Sequence, residues 1–320
     1  MKKISILIPC LNEVDNVRQI TEAIDMLFQK ELSGYRYELL FIDNFSTDGT
    51  RDKLRLICSE NKNVKAIFNV KNFGPSKSPV YGMTQTSGDC TIQMAADFQD
   101  PPECIPELIK KWEEGFKIVI TKKTSSKENF LMYFCRSVFY KIFNKIGDIE
   151  HIEHFTGFGL YDRSFIQTLR KLDDPIPYLR GIVTELGPQR AEIVFTQPKR
   201  LRGTTKTNFF SLYNVAMLGF TSYSSAIPRV ATFLGFISGF LCLLGALAFF
   251  IYKLFNWETF PWGMAPMLIS LFFLSGIQLF FIGFLGECIN SINIRVMKRP
   301  LVVEDERLNF EEEEESVNHE

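Results

Sequence analysis

Up to about Thr207 the chain alternates short apolar runs with segments that carry an apolar stripe at helical spacing; beyond it two long stretches lose their charges. Ile4–Pro9 is almost wholly apolar, the pattern of a strand covered on both faces. Glu13–Gln29 follows, with Val17, Ile20, Ala23, Ile24, Met26 and Leu27 forming a helical stripe. The unit then repeats. Tyr37–Asp43 predicts a second strand and Asp48–Ser59 a second helix, capped by Thr47 or Asp48. Val64–Phe68 and Pro75–Gln85 repeat it again. Thr91–Ala95 predicts a fourth strand, followed after a proline turn by a helix over Glu103–Glu114 and a fifth strand over Phe116–Ile120. This alternation implies an α/β domain with a mostly parallel sheet and helices on its faces. In such domains ligands sit beyond the carboxyl ends of the strands.

The remainder reads differently. Ala231–Tyr252 and Gly263–Gly286 are runs of 22 and 24 residues without a charge. At ~1.5 Å rise per residue each covers a hydrocarbon core of ~30 Å, so two transmembrane helices are expected. Lys199, Arg200, Arg202, Lys206 and Arg229 precede the first run, and Arg295, Lys298 and Arg299 follow the second. The connection between them carries only Lys253 and Glu258, so both ends are placed in the cytoplasm. Tyr252, Trp257 and Trp262 lie where an interfacial aromatic belt belongs. Asn208–Ile227 is uncharged yet too polar to span, and predicts amphipathic helices along the bilayer surface. The expected organisation is a cytosolic domain over 1–207, interfacial helices over 208–229, a two-helix anchor over 230–290 and a cytosolic acidic tail over 291–320. Glu311–Glu315 reads as solvated and disordered.

Composition narrows the function classes. The 320 residues carry a formal net charge of −1, which argues against a nucleic-acid partner. Cys10, Cys58, Cys90, Cys104, Cys135, Cys242 and Cys288 are scattered, odd in number and without zinc spacing, so reduced thiols facing the cytosol are expected. MKKISILIPC begins like a signal peptide, but Asn12, Glu13 and Asp15 break its apolar run.

Three strand ends gather polar residues: Pro9–Glu13, Asp43–Thr50 and Ala95–Glu103. Each also has a purely structural reading. Asn12 suits a helix cap, Ser46–Asp48 a turn and cap, and Asp97 a strand end. Those readings suffice for Thr47 and Asp48, but they do not account for acids and amides recurring at three strand ends of one sheet. His151, Glu153 and His154 form a short cluster that reads as surface or substrate-pocket residues, with a metal site as the alternative.

In their order and spacing, SILIPCLNE, FIDNFSTDGT, NFGPSKSPVYG, ADFQDPPE, FTGFGLYDR, the Arg200–Lys206 segment and the two terminal spans resemble the inverting family 2 glycosyltransferases of GT-A fold. The likeness is to the polyprenyl-phosphate branch, with its dolichol-phosphate mannose synthases and bactoprenol glucosyltransferases, and runs from Ile4 to about Pro300. It implies that Pro9, Asn12 and Glu13 form the first nucleotide-binding loop. It gives Asp43 a contact to the base or ribose, with Asn44 where a second Asp is common, and puts Gly74 in the loop that closes over the nucleotide. ADFQD matches a metal-binding strand end usually written Asp-x-Asp-x-Gln. Ala95 replaces the first Asp, leaving Asp97 and Gln99 as the catalytic pair that would hold Mg²⁺ or Mn²⁺. Asp100 and Glu103 are weaker ligand candidates. Where relatives read Gly-Asp-Phe-Arg-Leu, this chain has Gly157 for the Asp and Gly159 for the Arg, so no general base is assigned. For the acceptor phosphate, the candidates are Arg136, Arg200, Arg202 and Lys206; anionic-lipid attraction is the competing account for such cations.

The resemblance therefore implies a multi-pass protein of the inner (plasma) membrane with its catalytic domain in the cytoplasm. It would move a sugar from a nucleotide sugar, with UDP the expected nucleotide, to polyprenyl phosphate, with inversion, for cell-wall or O-antigen glycan modification. Membrane lipids and further copies of the chain are its implied partners. A different lipid acceptor, or a non-catalytic scaffold of glycan assembly, are the alternatives that Ala95 and Gly157 keep open.

Overall fold

Ile4, Ile6 and Ile8 of the first strand turn to one face of a sheet and Leu7 to the other, and all four are fully buried. Period-two alternation with both faces covered produces the near-continuous apolar run. The computed structural model describes residues 1–123, 152, 155–172, 174–187, 189–198 and 264–310, with isolated helical positions between 233 and 255. Two units are distinguished. One comprises Met1–Tyr140, His151–Asn208 and Lys298–Glu320; the other comprises Lys141–Glu150 and Phe209–Met297.

The first unit holds β1 (Lys3–Cys10), α1 (Val17–Lys30), β2 (Arg36–Asp43), α2 (Thr50–Glu60), β3 (Val64–Asn69), α3 (Gly74–Gln85) and β4 (Cys90–Gln93). A 3₁₀ turn at Pro102–Cys104 leads into α4 (Ile105–Glu113), followed by β5 (Ile118–Lys123), β6 (Phe155–Asp162), α5 (Arg163–Leu172), α6 (Leu179–Leu186) and β7 (Ala191–Phe195). The eight-stranded sheet has the order β7-β5-β6-β4-β1-β2-β3-β8, with β8 at Glu304–Leu308. β1 pairs in parallel with β2 and β4, β2 with β3, and β5 with β7. β6 runs antiparallel to both β4 and β5. The chain winds outward from β1 through β2 to β3, then returns to the other side of β1 as β4. The carboxyl ends of β1 and β4 therefore flank a topological switch point, where a crevice opens in sheets of this kind.

The helices cover both faces. Val17, Ile20 and Ile24 of α1, Leu54 and Ile57 of α2, and Ile105, Leu108 and Ile109 of α4 bury against one face with Ile6 and Phe41. Val80 and Met83 of α3, Phe165 and Ile166 of α5, and Ile182 and Val183 of α6 bury against the other with Leu7 and Ile42. α1 starts at Val17 rather than Glu13, because Glu13–Asn16 form a turn in which the Asn16 N–H donates to the Glu13 carbonyl. The cap of α2 is Gly49, at φ +93°, rather than Thr47 or Asp48. Asp48 instead accepts the Thr50 N–H and hydroxyl through Oδ1.

The tail is corrected over part of its length. Glu304–Leu308 forms an edge strand antiparallel to β3, with Ile67 opposite Arg307 and Phe68 opposite Glu306. Residues 311–320, with the glutamate run, lie outside the described residues.

In the second unit, α7 (Met264–Val296) is a 33-residue helix. Among the described residues it is the one helix long and apolar enough to cross a membrane, over Leu274–Val296, and almost none of that stretch is buried. It runs past the expected end at Gly286 because Glu287, Asn290 and Asn293 interrupt the apolar character but not the helix. The other expected span and the interfacial segment fall almost wholly outside the described residues; Phe233, Ile237, Phe240, Leu241, Leu244, Ile251 and Phe255 are helical and exposed.

Candidate active site

The loops after β1 and β2 are stitched to each other by reciprocal bonds. Asn12 adopts φ +59°, which swings its backbone N–H toward Ser46 Oγ at 2.8 Å. Its side-chain Oδ1 accepts the Thr47 N–H at 2.8 Å. The Glu13 N–H donates to Thr50 Oγ1 at 2.9 Å, while Glu13 Oε2 takes the Asn16 amide at 2.6 Å. Pro9, opposite Ile42 in the ladder, carries the chain into this turn. An asparagine tolerates the left-handed region better than other non-glycine residues, and its short amide can bond locally. Asn12 is therefore a loop-shaping residue and not the cap of α1, which is Asn16.

Asp43, at the end of β2, is fully buried. Its Oδ2 accepts the Ser46 N–H at 3.0 Å and Arg51 Nε at 2.8 Å; Cys10 Sγ lies 4.0 Å from Oδ1. Arg51, one residue into α2, was not legible as a site residue. A cation eight positions after a strand-end carboxylate is its only signal. Asn44 acts on the next loop. It gives its amide to Asn72 Oδ1 at 2.8 Å and to the Gly74 carbonyl at 3.3 Å, and accepts the Phe73 N–H at 2.8 Å. Gly74 takes φ +89°, a conformation that side chains rarely adopt, and its N–H donates to Asn72 Oδ1. Asn69 donates to Asn44 Oδ1 and Ser78 Oγ, and its own Oδ1 has no hydrogen-bond partner among the described residues.

Beyond β4 the chain turns sharply, with Phe98 at φ +59°. Asp97, 5% exposed, accepts the Gln99 N–H on Oδ1 at 3.1 Å. Asp100 accepts the Ala95 N–H at 2.9 Å. Burial, with a smaller push from the Asp97 charge, raises the Asp100 carboxyl to about 6; the Ala95 N–H and Lys123 pull the other way. Ala95 thus contributes a backbone bond where the resemblance has a carboxylate. No group of three or more His, Cys, Asp or Glu able to hold a metal occurs among the described residues. The hard oxygens of Asp97 and Gln99 suit Mg²⁺ or Mn²⁺, which commonly take most of their ligands from water and from substrate phosphates. The donor set fits such an ion, with a small protein share.

Gly157, in β6, has φ +103°, and a Cβ there would lie 3.2 Å from Gln93 Nε2. Gln93 Oε1 is buried with no hydrogen-bond partner among the described residues. An aspartate at 157 would be both strained and crowded, so its absence belongs to the local backbone as well as to the chemistry. Gly159 passes so close to β5 that a Cβ would stand 2.5 Å from the Val119 carbonyl oxygen. The sheet thus brings together Asn12, Glu13, Asp43, Asn44 and Gly74 around the β1, β2 and β3 ends, and Asp97, Gln99 and Asp100 beyond β4. Arg136, Arg200, Arg202, Lys206, His151, Glu153 and His154 lie outside the described residues.

Comparison with known proteins bears on this arrangement. The family model described as glycosyl transferase family 2 matches residues 5–170. A bactoprenol glucosyl transferase of Shigella phage SfX is 32% identical over 305 residues, covering 93% of this chain and 97% of that protein. An uncharacterised glycosyltransferase of Synechocystis sp. is 30% identical over 301 residues, 93% of each chain. Among solved structures, mannosyl-3-phosphoglycerate synthase from Rubrobacter xylanophilus aligns with TM-score 0.50 at 17% identity, over 73% of this chain and 75% of that one.

Proposed function

The chain belongs to glycosyl transferase family 2 and is a nucleotide-sugar-dependent glycosyltransferase with a GT-A-like α/β fold, and from that premise we propose that it transfers the sugar of a UDP-sugar to polyprenyl phosphate at a cytoplasmic membrane face. The observation that carries the acceptor is α7: a scarcely buried apolar helix of 33 residues, in the same chain as the transferase fold, suits an enzyme whose substrate resides in lipid. The likeness to bactoprenol glucosyl transferases over nearly the whole of both chains supports the same reading. So does the other charge-free run, at 231–252, read as a further span that makes the protein multi-pass.

In this reading Pro9, Asn12 and Glu13 shape one wall of the donor pocket, and Asp43, Asn44 and Gly74 the other. Asp97 and Gln99 would hold Mg²⁺ or Mn²⁺ beside the diphosphate. When bound, such an ion supplies positive charge to the departing diphosphate. A phosphate oxygen of the acceptor attacks the anomeric carbon from the face opposite the leaving group. The bond from that carbon to the diphosphate oxygen breaks, and its electron pair departs on the nucleoside diphosphate, so configuration inverts. A phosphate monoester has a second pKa near ~6 and is already a dianion for much of its population at pH 7. It needs no general base, which accommodates glycine at 157. Arg136, Arg200, Arg202 and Lys206 are the cations proposed to hold it.

The acceptor is tested with the full chain in detergent, one donor and three lipids: undecaprenyl phosphate, undecaprenyl diphosphate and undecaprenol. Glycosylation of the monophosphate, at least about tenfold faster than of either other lipid, is the expected result. Preference for the diphosphate or for a glycerolipid added as a fourth acceptor would replace polyprenyl phosphate in the reading. The alternative of a scaffold is favoured by nucleotide binding without any product.

A further inference from the structure

The carboxylate at the heart of the β2 turn is held from a place distant in sequence. Arg51 uses all three of its guanidinium nitrogens. Nε donates to Asp43 Oδ2 at 2.8 Å, Nη1 to Asp305 Oδ2 at 3.0 Å, and Nη2 to the Asn69 carbonyl. Its guanidinium carbon lies 5.3 Å from the Phe45 ring centre and 5.5 Å from that of Phe68. Asp305 belongs to β8, which follows α7 in the chain and pairs with the outer edge of β3. Its neighbour Glu306 binds Arg55, one turn further along α2, at 2.7 Å.

A guanidinium is planar and rigid, so fixing two of its nitrogens fixes where the third points. From Arg51 the chain of contacts runs inward. Asp43 holds the Ser46 N–H, Ser46 Oγ receives the Asn12 N–H, and Asn12 Oδ1 takes the Thr47 N–H. Both loops of the proposed donor pocket thus rest on one buried carboxylate, whose charge is matched by one arginine, whose direction is set in part by β8. Asp305 is half exposed and touches none of the residues assigned to the donor or the metal except through Arg51.

We infer that Arg51 is a positioning residue for the nucleoside diphosphate and that Asp305 of the C-terminal strand sets it, so donor affinity depends on the segment that follows α7. This rests on the nucleotide-sugar reading of the site. It assigns β8 a part in donor binding that the transferase fold of residues 5–170 does not contain.

The test is a double-mutant cycle on the full chain in detergent. UDP is the calorimetric probe, GDP and dTDP are titrated in parallel, and a thermal melt accompanies every variant. Arg51→Ala is expected to weaken UDP binding about thirtyfold and Asp305→Ala about fivefold, as losses of charge-assisted bonds. In the Arg51→Ala background, Asp305→Ala should have no further effect, because its only route is gone. Asp305→Glu should restore most of the affinity. In turnover assays Asp305→Ala should raise the donor KM and leave kcat within about twofold. A purely structural role for β8 would instead lower the melt and weaken binding equally in both backgrounds; that result, or wild-type affinity in Arg51→Ala, overturns the inference alone. Failure of the wild type to bind any of the three nucleotides while melting normally overturns the nucleotide-sugar reading, and this inference with it.

Discussion

Asp97→Ala is expected to lower turnover by about 10² to 10³, the loss seen when a group that stabilises developing charge is removed from a preorganised site. Asp97 is nearly buried and is the carboxylate that Gln99 folds back upon through its N–H. With Ala95 already in place of a second acid, its removal leaves Gln99 as the remaining side-chain donor of the proposed metal pair. Nucleoside diphosphate affinity in the presence of a chelator should change much less, since Asp43, Asn44 and the Asn12 loop are untouched. Steady-state rates at saturating donor and acceptor, with and without added Mn²⁺, read the effect directly. A variant that keeps turnover within about threefold of wild type would remove Asp97 from the catalytic assignment.

The second large effect lies at the opposite end of the sheet. Glu38 of β2 is 2% exposed and makes five contacts with four residues: Ser5 Oγ at 2.6 Å, the Ser87 N–H and hydroxyl at 2.7 Å each, and Lys3 and Lys65 Nζ at 2.8 and 3.0 Å. It ties β1, β2, β3 and the turn before β4 together. Burial alone would raise its carboxyl, but the bonds from Lys3, Ser5 and Ser87 outweigh it and hold the group at about 2, against 4.5 unperturbed. Glu38→Ala strands two lysines beside a void and should cost about 3–5 kcal/mol. The sign of the pH dependence follows from the lowered value. Stability from the ionised carboxyl is fully present above 4.5 and is lost as pH falls from 4.5 towards 2, amounting to about 3 kcal/mol over that window. Denaturant unfolding of wild type and Glu38→Gln should therefore differ most at neutral pH and converge towards pH 2. A difference that stays constant from pH 7 to pH 2.5 would show that Glu38 does not act through its charge.

The strands and helices of the first half were legible because two-sided burial writes apolar runs, and an amphipathic face writes a stripe of period 3.6. Their ends were less so. α1 begins four residues late because the Asn12 turn and the Glu13–Asn16 turn come first, and both depend on partners more than thirty residues away. β6 carries Gly157 and Gly159, which break the apolar pattern of a strand; the close pass of β5 explains Gly159, and a left-handed φ beside Gln93 explains Gly157. β8 misled in the opposite way. Glu304, Asp305 and Glu306 look like a solvated tail until Tyr81, Arg51 and Arg55 are seen to meet them. At the candidate site, the segments holding Asn12, Asp43, Asp97 and Gln99 could be picked out because strand ends follow from element order, and the resemblance then singled out the residues. Arg51, Asn69 and Asn72 could not, since nothing in their local sequence says that α2 and the loop after β3 turn back towards β2.

The most direct measurement is mass spectrometry of the lipid fraction after the full chain, in detergent with Mn²⁺, has been incubated with undecaprenyl phosphate and UDP-glucose, UDP-N-acetylglucosamine or UDP-galactose. A lipid monophosphate carrying one sugar, formed from at least one donor and absent with Asp97→Ala, is the predicted result. UDP-sugar bound by the protein but consumed with no lipid product, or not consumed at all, would contradict transfer to polyprenyl phosphate.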